Sequence, residues 1–215
     1  MPDTLVVNEI FHSIQGESSH AGLPCVFVRL TGCRLRCAWC DTDYALTEGV
    51  VMSLDNIIDR IRAYDCTLVE ITGGEPLLQP AVLPLLARLC DLDLTVLLET
   101  GGAEDIANVD PRVIKIMDIK CPSSGESEKN RYANLRHLAA KDELKFVLAD
   151  RSDYDWAKRQ LAAHRLASRC AILFSPVWDK LPLKTLAEWI LADRLPVRLQ
   201  TQWHKHIWGP DARGV

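Results

Sequence analysis

Short apolar runs alternate along the chain with segments in which apolar residues recur every three to four positions. The runs have the length of strands and are rich in β-branched residues, which favours buried strands. They predict strands at residues 5–10, 25–30, 68–72, 94–99, 113–119, 144–148, 171–174 and 197–201. The helical spacing predicts helices that begin after the N-cap Ser53, after Pro80, around residues 129–140 and 154–167, and at 183–192.

This alternation predicts right-handed βαβ units and a parallel sheet. About six or seven of these strands would belong to such units, which is too few for a closed eight-stranded barrel of roughly 250 residues. We therefore expect an α/β fold, an open and partial barrel, in which residues 1–215 form a single domain.

Three cysteines, Cys33, Cys37 and Cys40, follow the second predicted strand with three and then two residues between them. Thiolates suit zinc or iron–sulfur clusters. A structural zinc needs four ligands, and Cys25, His12 or His20 could supply the fourth. A four-iron cubane usually takes four thiolates, so three would leave one iron open for chemistry.

Unusual residues follow the carboxyl ends of most predicted strands. They are the cysteine loop at 32–43, Gly-Gly-Glu-Pro at 73–76, Glu99 and Thr100, residues 118–120, Ser175 and Pro176, and residues 202–206. In a barrel-like sheet these strand ends face one way and build the active site. A zinc knuckle does not predict this convergence, whereas an enzyme site around an open cluster does.

Composition narrows the function classes. The chain has 215 residues, 48% of them hydrophobic, and a net charge of −4, which argues against disorder and against a general nucleic-acid binder. It has no signal-peptide pattern at its start and no apolar run that could span a bilayer, so we expect a soluble, cytoplasmic protein without a membrane partner. Eight cysteines then indicate metal binding or buried thiols, and Cys66, Cys90, Cys121 and Cys170 are expected to be packing residues.

The motifs together resemble a known superfamily. Cys-x3-Cys-x2-Cys after one strand and Gly-Gly-Glu-Pro after the next resemble the radical S-adenosylmethionine (SAM) superfamily. Glu-Ile-Phe-His-Ser-Ile-Gln-Gly-Glu at 9–17, with Cys-Asp-Thr at 40–42 and a late His-Lys at 204–205, is similar to the 7-carboxy-7-deazaguanine synthase family of the queuosine pathway. The resemblance covers essentially the whole chain and implies a partial (βα)6 TIM-like barrel of the radical SAM type.

The resemblance also implies an activity and its cofactors. The expected enzyme is a carbon–nitrogen lyase that converts 6-carboxy-5,6,7,8-tetrahydropterin to 7-carboxy-7-deazaguanine with loss of ammonia, in the biosynthesis of a modified tRNA base. The implied cofactors are a [4Fe-4S] cluster, SAM and Mg2+. The implied partners are the small pterin substrate, a reductant such as flavodoxin or ferredoxin, and a second copy in a homodimer.

Carried over residue by residue, the resemblance implies three groups of site residues. Cys33, Cys37 and Cys40 would hold the cluster, and Thr42 would bind Mg2+. The cofactor would contact Trp39, Cys40, Asp41, Gly74, Asp118, Ile119, Lys120, Ser175, Pro176 and Val177. The substrate would contact Ile14, Gln15, Gly16, Arg29, Thr72 and His204. Asp-Ile-Lys at 118–120 departs from the Ser-Pro-Lys of some relatives.

Several residues have a second interpretation. Arg29 is a lone cation inside an apolar strand, where an unpaired charge is costly. It should therefore bind a substrate carboxylate or form an internal salt bridge, for which Glu17 is the candidate partner. Gly73 and Gly74 would let the backbone approach the cofactor closely. Trp39 could border the adenine or lie in the core. The alternative functions are an activating enzyme for a glycyl-radical partner and a zinc-stabilised interaction module.

Overall fold

The computed structural model describes residues 3–215, which fold around one nine-stranded sheet. The strands are β1 Thr4–Ile14, β2 Pro24–Leu30, β3 Val50–Ser53, β4 Leu68–Gly73, β5 Thr95–Thr100, β6 Ile114–Asp118, β7 Glu143–Leu148, β8 Ala171–Pro176 and β9 Arg198–Leu199. The α-helices are α1 Leu54–Arg62, α2 Val82–Asp91, α3 Arg151–His164, α4 Leu183–Asp193 and α5 Trp203–Trp208.

The order of strands across the sheet is β3-β1-β2-β4-β5-β6-β7-β8-β9. Neighbours are parallel from β2 to β9, whereas β1 pairs antiparallel with both β2 and β3. The expected α/β fold with a mostly parallel, open sheet is therefore confirmed. The parallel part contains seven strands, and the β1–β3 pair extends it at one edge.

Three elements differ from the sequence prediction. The strand β3 and the six-residue helix α5 were not predicted. The helix expected around residues 129–140 is wrong, because this region forms only short 3-10 turns, Ser127–Lys129 and Tyr132–His137. Asn134 explains the difference, since its amide donates to the carbonyl oxygens of Gly102 and Glu104 at 3.1 and 2.8 Å. These bonds join the segment to the loop after β5, 32 and 30 residues away in sequence, so tertiary contacts override the local helical spacing.

The two faces of the sheet carry different apolar layers. Alternate residues of β4, Val69 and Ile71, belong to a large cluster that includes residues of all four longer helices. The other face carries a small apolar layer formed by Phe11, Cys25, Phe27, Leu68, Leu97 and Ile116. Because side chains alternate along a strand, Glu70 and Thr72 share the face of Leu68 and stand between this layer and the carboxyl ends of the strands.

The remaining cysteines pack as expected. Cys90, Cys121 and Cys170 are buried in the large cluster, and Cys66 packs against both clusters. Within residues 3–215, none of the helices combines the length and apolar composition that crossing a bilayer requires.

Candidate active site

A cavity of about 320 Å3 opens at the carboxyl ends of the parallel strands. Most residues that the sequence singled out line it together, although they come from seven separate stretches of chain. They are Ile14, Gln15, Gly16, Arg29, Cys33, Cys37, Trp39, Cys40, Asp41, Thr42, Thr72, Gly74, Asp118, Lys120, Ser175, Val177 and His204. Ile119 and Pro176 do not line the cavity, and the Ile119 side chain is buried in the large apolar cluster.

The cysteine loop is held by backbone contacts to the loop that follows β6. The Arg36 N–H donates to Glu126 Oε1 at 2.8 Å, and the Ala38 N–H donates to the Ser124 carbonyl at 3.0 Å. At its start, the Gly32 N–H donates to the Ala45 carbonyl at 2.8 Å. These bonds fix the loop in place so that its three thiols face one space.

The thiols suit a cluster held at three corners. Burial raises the pKa of Cys33 and Cys37, and the Lys120 ammonium nearby opposes this rise. Thiols in such a pocket become thiolates when they bind a metal, and a neighbouring cation favours that form. The three cysteines therefore fit an iron–sulfur cluster.

The zinc alternative lacks its fourth ligand here. Cys25 lies in the small apolar layer, and neither His12 nor His20 lines the cavity. In the described part of the chain, no group of three or more Cys, His, Asp or Glu side chains is close enough to hold one metal ion. A cubane makes a different demand, because each thiolate binds a different iron.

Gly73 and Gly74 bring β4 against the end of β2 and the cysteine loop. A Cβ on Gly73, which has φ of +136°, would lie 2.9 Å from the Leu30 carbonyl carbon. A Cβ on Gly74 would lie 2.6 Å from the Gly32 carbonyl carbon and overlap its oxygen. Both contacts are with backbone, so a side chain at either position would push the strand and the cysteine loop apart.

Glu75, the acid of the Gly-Gly-Glu-Pro motif, ties two loops together. Its oxygens accept the Thr100 hydroxyl at 2.9 and 3.0 Å, the Gly101 N–H at 2.8 Å and the Leu77 N–H at 3.1 Å. Burial raises the pKa of Glu75, and these donors oppose the rise. The motif thus positions the ends of β4 and β5 around the cavity.

Asp118 and Lys120 form a buried pair beside the thiols. Lys120 Nζ lies 2.8 Å from Asp118 Oδ2. Burial acts to lower the pKa of Lys120, but the Asp118 carboxylate outweighs it and the pKa rises. Asp118 Oδ1 is buried without a hydrogen-bond partner among the described residues. A buried acceptor left open at a cavity can bind an N–H or O–H of a ligand.

Gly16 and His204 join the two ends of the chain at the cavity. The Trp203 N–H donates to the Gly16 carbonyl at 3.0 Å, and a Cβ on Gly16 would overlap Nδ1 of the His204 ring. Burial lowers the pKa of His204, so the imidazole is neutral near pH 7. A neutral imidazole offers one donor and one acceptor.

Arg29 forms the internal salt bridge that the sequence suggested, but with Glu9 and not with Glu17. Its Nε lies 2.7 Å from Glu9 Oε1, and the two residues are paired across β1 and β2. Tyr44 also donates to Glu9 Oε1 at 3.1 Å. Among the described residues, the terminal guanidinium nitrogens have no hydrogen-bond partner, so they can still bind a carboxylate in the cavity.

Glu17 instead belongs to a charged network around Lys145. Lys145 Nζ lies 2.9 Å from Glu17 Oε2 and also pairs with Glu99, whose other oxygen accepts the Thr72 hydroxyl at 2.9 Å. Burial acts to lower the pKa of Lys145, but the two carboxylates raise it. Gln200 and Gln202 each donate to Glu17 at 2.9 Å. Lys145 thus joins β5, β7 and the loop after β1 through one cation.

Asp41 connects the cysteine loop to helix α5. Its Oδ2 lies 2.7 Å from Lys205 Nζ and accepts the Gln202 amide at 3.3 Å. Burial alone would raise the pKa of Asp41, but the Lys205 ammonium lowers it. Thr42 follows directly, and its hydroxyl lies 3.8 Å from Cys40 Sγ. Trp39 lies in the cavity wall, where Lys180 Nζ is 5.5 Å from its ring centroid.

Sequence reasoning missed several residues of this site. Glu70, Glu126 and Lys145 were not singled out at all. Glu75 and Lys205 were named only as parts of motifs, and Glu17 only as a partner for Arg29, without the contacts found here. Two of them carried a usable signal, because Glu70 and Lys145 are single charges inside apolar strands, the same pattern that drew attention to Arg29.

Comparisons with known proteins show what the chain is similar to. A model of the radical SAM superfamily matches residues 27–118. The chain is 54% identical to a 7-carboxy-7-deazaguanine synthase of Chlorobaculum tepidum, over 98% of this chain and 97% of that protein. It is 45% identical to a protein of the same name from Koribacter versatilis, over 97% and 99%. The fold is similar to the crystal structure of QueE from Escherichia coli, with a TM-score of 0.75 at 24% identity over 93% and 94% of the two chains.

Proposed function

The chain belongs to the 7-carboxy-7-deazaguanine synthase family, and from that premise we propose how its cavity performs the synthase reaction. The reaction converts 6-carboxy-5,6,7,8-tetrahydropterin to 7-carboxy-7-deazaguanine with loss of ammonia. The observation that carries this proposal is the meeting of three cysteines, Arg29 and the Gly16–His204 contact in one cavity. Full-length relatives that bear the synthase name do not favour the activating-enzyme or zinc-module alternatives.

The cysteines would hold the cluster and the strand ends would hold SAM. A [4Fe-4S] cluster with SAM bound supplies the radical that removes a hydrogen atom from the substrate. The unpartnered Asp118 Oδ1 supports a role as acceptor for a cofactor N–H or O–H, while Oδ2 is paired with Lys120. Trp39, Gly74, Ser175 and Val177 line the same cavity, which supports their place in the cofactor site.

The opposite side of the cavity would hold the pterin. The free guanidinium nitrogens of Arg29 suit the substrate carboxylate, and its Nε bond to Glu9 fixes the plane in which they point. Gln15, Thr72 and neutral His204 offer donors and acceptors for the ring. Residues 210, 212, 214 and 215 also line the cavity, and this part of the chain would exclude water from the reaction.

Thr42 is proposed as the magnesium ligand. Mg2+ prefers oxygen ligands and binds few protein groups, leaving positions for water and substrate oxygens. The neighbouring Asp41 carboxylate is already paired with Lys205, so the Thr42 hydroxyl is the free oxygen at this point of the loop. Replacing Thr42 by valine should abolish stimulation of turnover by Mg2+ while leaving cluster absorbance intact.

Three further proposals concern the setting of the enzyme. All eight cysteines are free, which supports the reducing cytoplasm as its compartment and a reductant such as flavodoxin or ferredoxin as its electron source.

Leu199, Trp203 and Ile207 are exposed beside the edge strand β9, which supports a homodimer through this face. Light scattering of the purified protein tests that assembly. One sheet through the described residues supports a single domain over 1–215.

The decisive experiment is turnover under anaerobic conditions. Protein reconstituted with iron and sulfide is incubated with SAM, Mg2+, a reductant and the carboxytetrahydropterin, and products are identified by mass spectrometry. Formation of 7-carboxy-7-deazaguanine and ammonia by the wild type, and not by Cys40→Ala, is the expected result. Cleavage of SAM without the deazapurine product would overturn the assignment of substrate.

A further inference from the structure

Glu70 is a carboxyl group at the floor of the cavity, between the polar site and the small apolar layer. It is 4% exposed, and its register neighbours on the adjacent strands are Phe27 and Leu97. Thr72, two residues further along β4, lies on the same face and nearer the cavity mouth. The Glu70 side chain therefore rests on apolar groups and faces the space above them.

Glu70 has no cation to balance a charge. Among residues 3–215 it forms no ion pair, and its side chain has one hydrogen bond, in which Gln15 Nε2 donates to Glu70 Oε2 at 2.5 Å. The cations on the neighbouring elements are engaged elsewhere, Lys145 with Glu17 and Glu99, and Arg29 with Glu9. A buried carboxylate without a paired cation is costly, so the neutral acid is the favoured form.

The surrounding titratable groups reinforce that form. Burial and the negative charges of Glu99 and Glu17 raise the pKa of Glu70 to about 8, against the opposing effects of the Gln15 amide and Lys145. On β2, burial also raises the pKa of the Cys25 thiol, which stays neutral and adds no cation. Near pH 7 Glu70 thus carries an O–H.

We propose that Glu70 is a specificity-determining residue of the synthase, which donates its carboxyl O–H to an acceptor atom of the pterin ring. Its other oxygen holds the Gln15 amide in one orientation, since Gln15 Oε1 accepts the Glu17 N–H at 3.1 Å while Nε2 bonds to Glu70. The acid and the amide together present neighbouring donors to a ring bearing carbonyl and nitrogen acceptors. This inference rests on the proposed function, because it assumes a pterin in the cavity.

A purely structural role does not explain this acid. An apolar residue of similar size would sit on Phe27 and Leu97 without the cost of burying a polar group. We therefore expect Glu70→Leu to remain folded and to lose affinity for the ligand. Selection of a specific ligand accounts for a polar group at this depth.

The test measures binding of 6-carboxypterin, a stable oxidised analogue of the substrate, by titration calorimetry to anaerobic holoprotein with SAM. Wild type is compared with Glu70→Gln at pH 6.5 and pH 9.0. Glutamine keeps the shape, the acceptor for Gln15 and a donor for the ring, but it does not titrate. Ionisation of the ligand and of other groups affects both proteins alike, so it cancels in the ratio of the wild-type Kd to the Glu70→Gln Kd.

The expected ratio is about 1 at pH 6.5 and about 10 at pH 9.0. The higher pH lies one unit above a pKa of about 8, so roughly a tenth of the Glu70 carboxyl groups remain protonated there. Glu70→Leu should bind several-fold more weakly than wild type at pH 6.5. The control Glu188→Gln, on the exposed face of α4, should match wild type at both pH values.

A ratio that stays the same at both pH values would overturn the proposal, as would tight binding by Glu70→Leu. If Glu70→Leu does not fold, the ratio from Glu70→Gln alone decides. The turnover assay on the wild type separates failure of the role of Glu70 from failure of the proposed function. A wild type that makes the deazapurine product but shows a constant ratio refutes only the role of Glu70, whereas a wild type that makes no product refutes the proposed function beneath it.

Discussion

Replacing Lys145 by methionine tests whether the charged network under the cavity stabilises the fold. Methionine has a similar length and no charge, so Glu17 and Glu99 would lose the ammonium that joins them. Lys145 is 7% exposed, and the two carboxylates are 18% and 29% exposed. Removing one partner of a buried pair costs about 3–5 kcal/mol. Because both carboxylates retain some contact with water, we expect a loss near the lower end, about 3 kcal/mol at pH 8.

The loss should depend on pH in a defined direction. In the wild type, burial acts to raise the pKa of Glu99, but Lys145 and Thr72 lower it below its usual value. This carboxylate therefore stabilises the fold above its unfolded pKa, and that contribution is lost as the pH falls through the lowered pKa. Without Lys145, burial dominates and the folded state takes up a proton more readily. The difference in free energy of unfolding between wild type and Lys145→Met should therefore be smaller at pH 5 than at pH 8, by more than about 1 kcal/mol.

Urea unfolding of the apoprotein, followed by circular dichroism, measures both effects. The matched control is Lys158→Met, which removes a lysine paired with Asp193 at side-chain exposures of 31% and 29%. Such a pair is worth about 0–1 kcal/mol, so the control should lose little and show little change with pH. Equal losses in the two variants, or a deficit in Lys145→Met that is the same at pH 5 and pH 8, would refute this account of the network.

Three further substitutions test the site. Gly74→Ala should lower the iron and sulfide bound per chain after anaerobic reconstitution, because its Cβ would overlap the Gly32 carbonyl that leads into the cysteine loop; a full cluster content would contradict this. Asp118→Asn should weaken SAM binding by about tenfold in equilibrium dialysis, the effect of losing one charge-assisted hydrogen bond, and unchanged affinity would exclude Oδ1 as a ligand. Arg29→Lys should raise KM for the pterin about tenfold with kcat nearly constant, because lysine lacks the bidentate fork; a reduced kcat at unchanged KM would place the effect elsewhere.

The fold could be predicted where local sequence and burial agree. The central strands are short apolar runs that end in glycine or polar residues, and the structure places them within a few residues of the predicted bounds. The apolar run of β3, at positions 50–52, has only three residues, which is too short to indicate a strand by itself. Val50 and Val51 are 61% and 71% exposed, and the strand exists through its pairing with β1. In the same way, α5 is too short to be stable alone and depends on contacts made far away in sequence.

The sequence indicated which strand ends build the candidate site, but it did not indicate which side chains pair with each other there. Arg29 was identified because a lone charge in an apolar strand needs a partner, and that criterion applies equally to Glu70 and Lys145. The partner of Arg29 depends on register. A bulge between Val7 and Glu9 brings Glu9 opposite Arg29, whereas Glu17 lies beyond the β1–β2 turn and reaches Lys145 instead. Register and bulges arise from the whole sheet, so the sequence around Arg29 does not contain them.

Helix α5 touches both halves of the cavity, since its first residue binds the Gly16 carbonyl and Lys205 binds Asp41 beside the cysteines. A ligand that orders one of these two contacts therefore also holds the six residues of α5 in position for the other contact. By thermodynamic reciprocity, any gain in pterin affinity caused by SAM must equal the gain in SAM affinity caused by the pterin. A short segment of this kind favours cooperative loading, in which the radical precursor and its target are retained together and the half-filled enzyme is disfavoured.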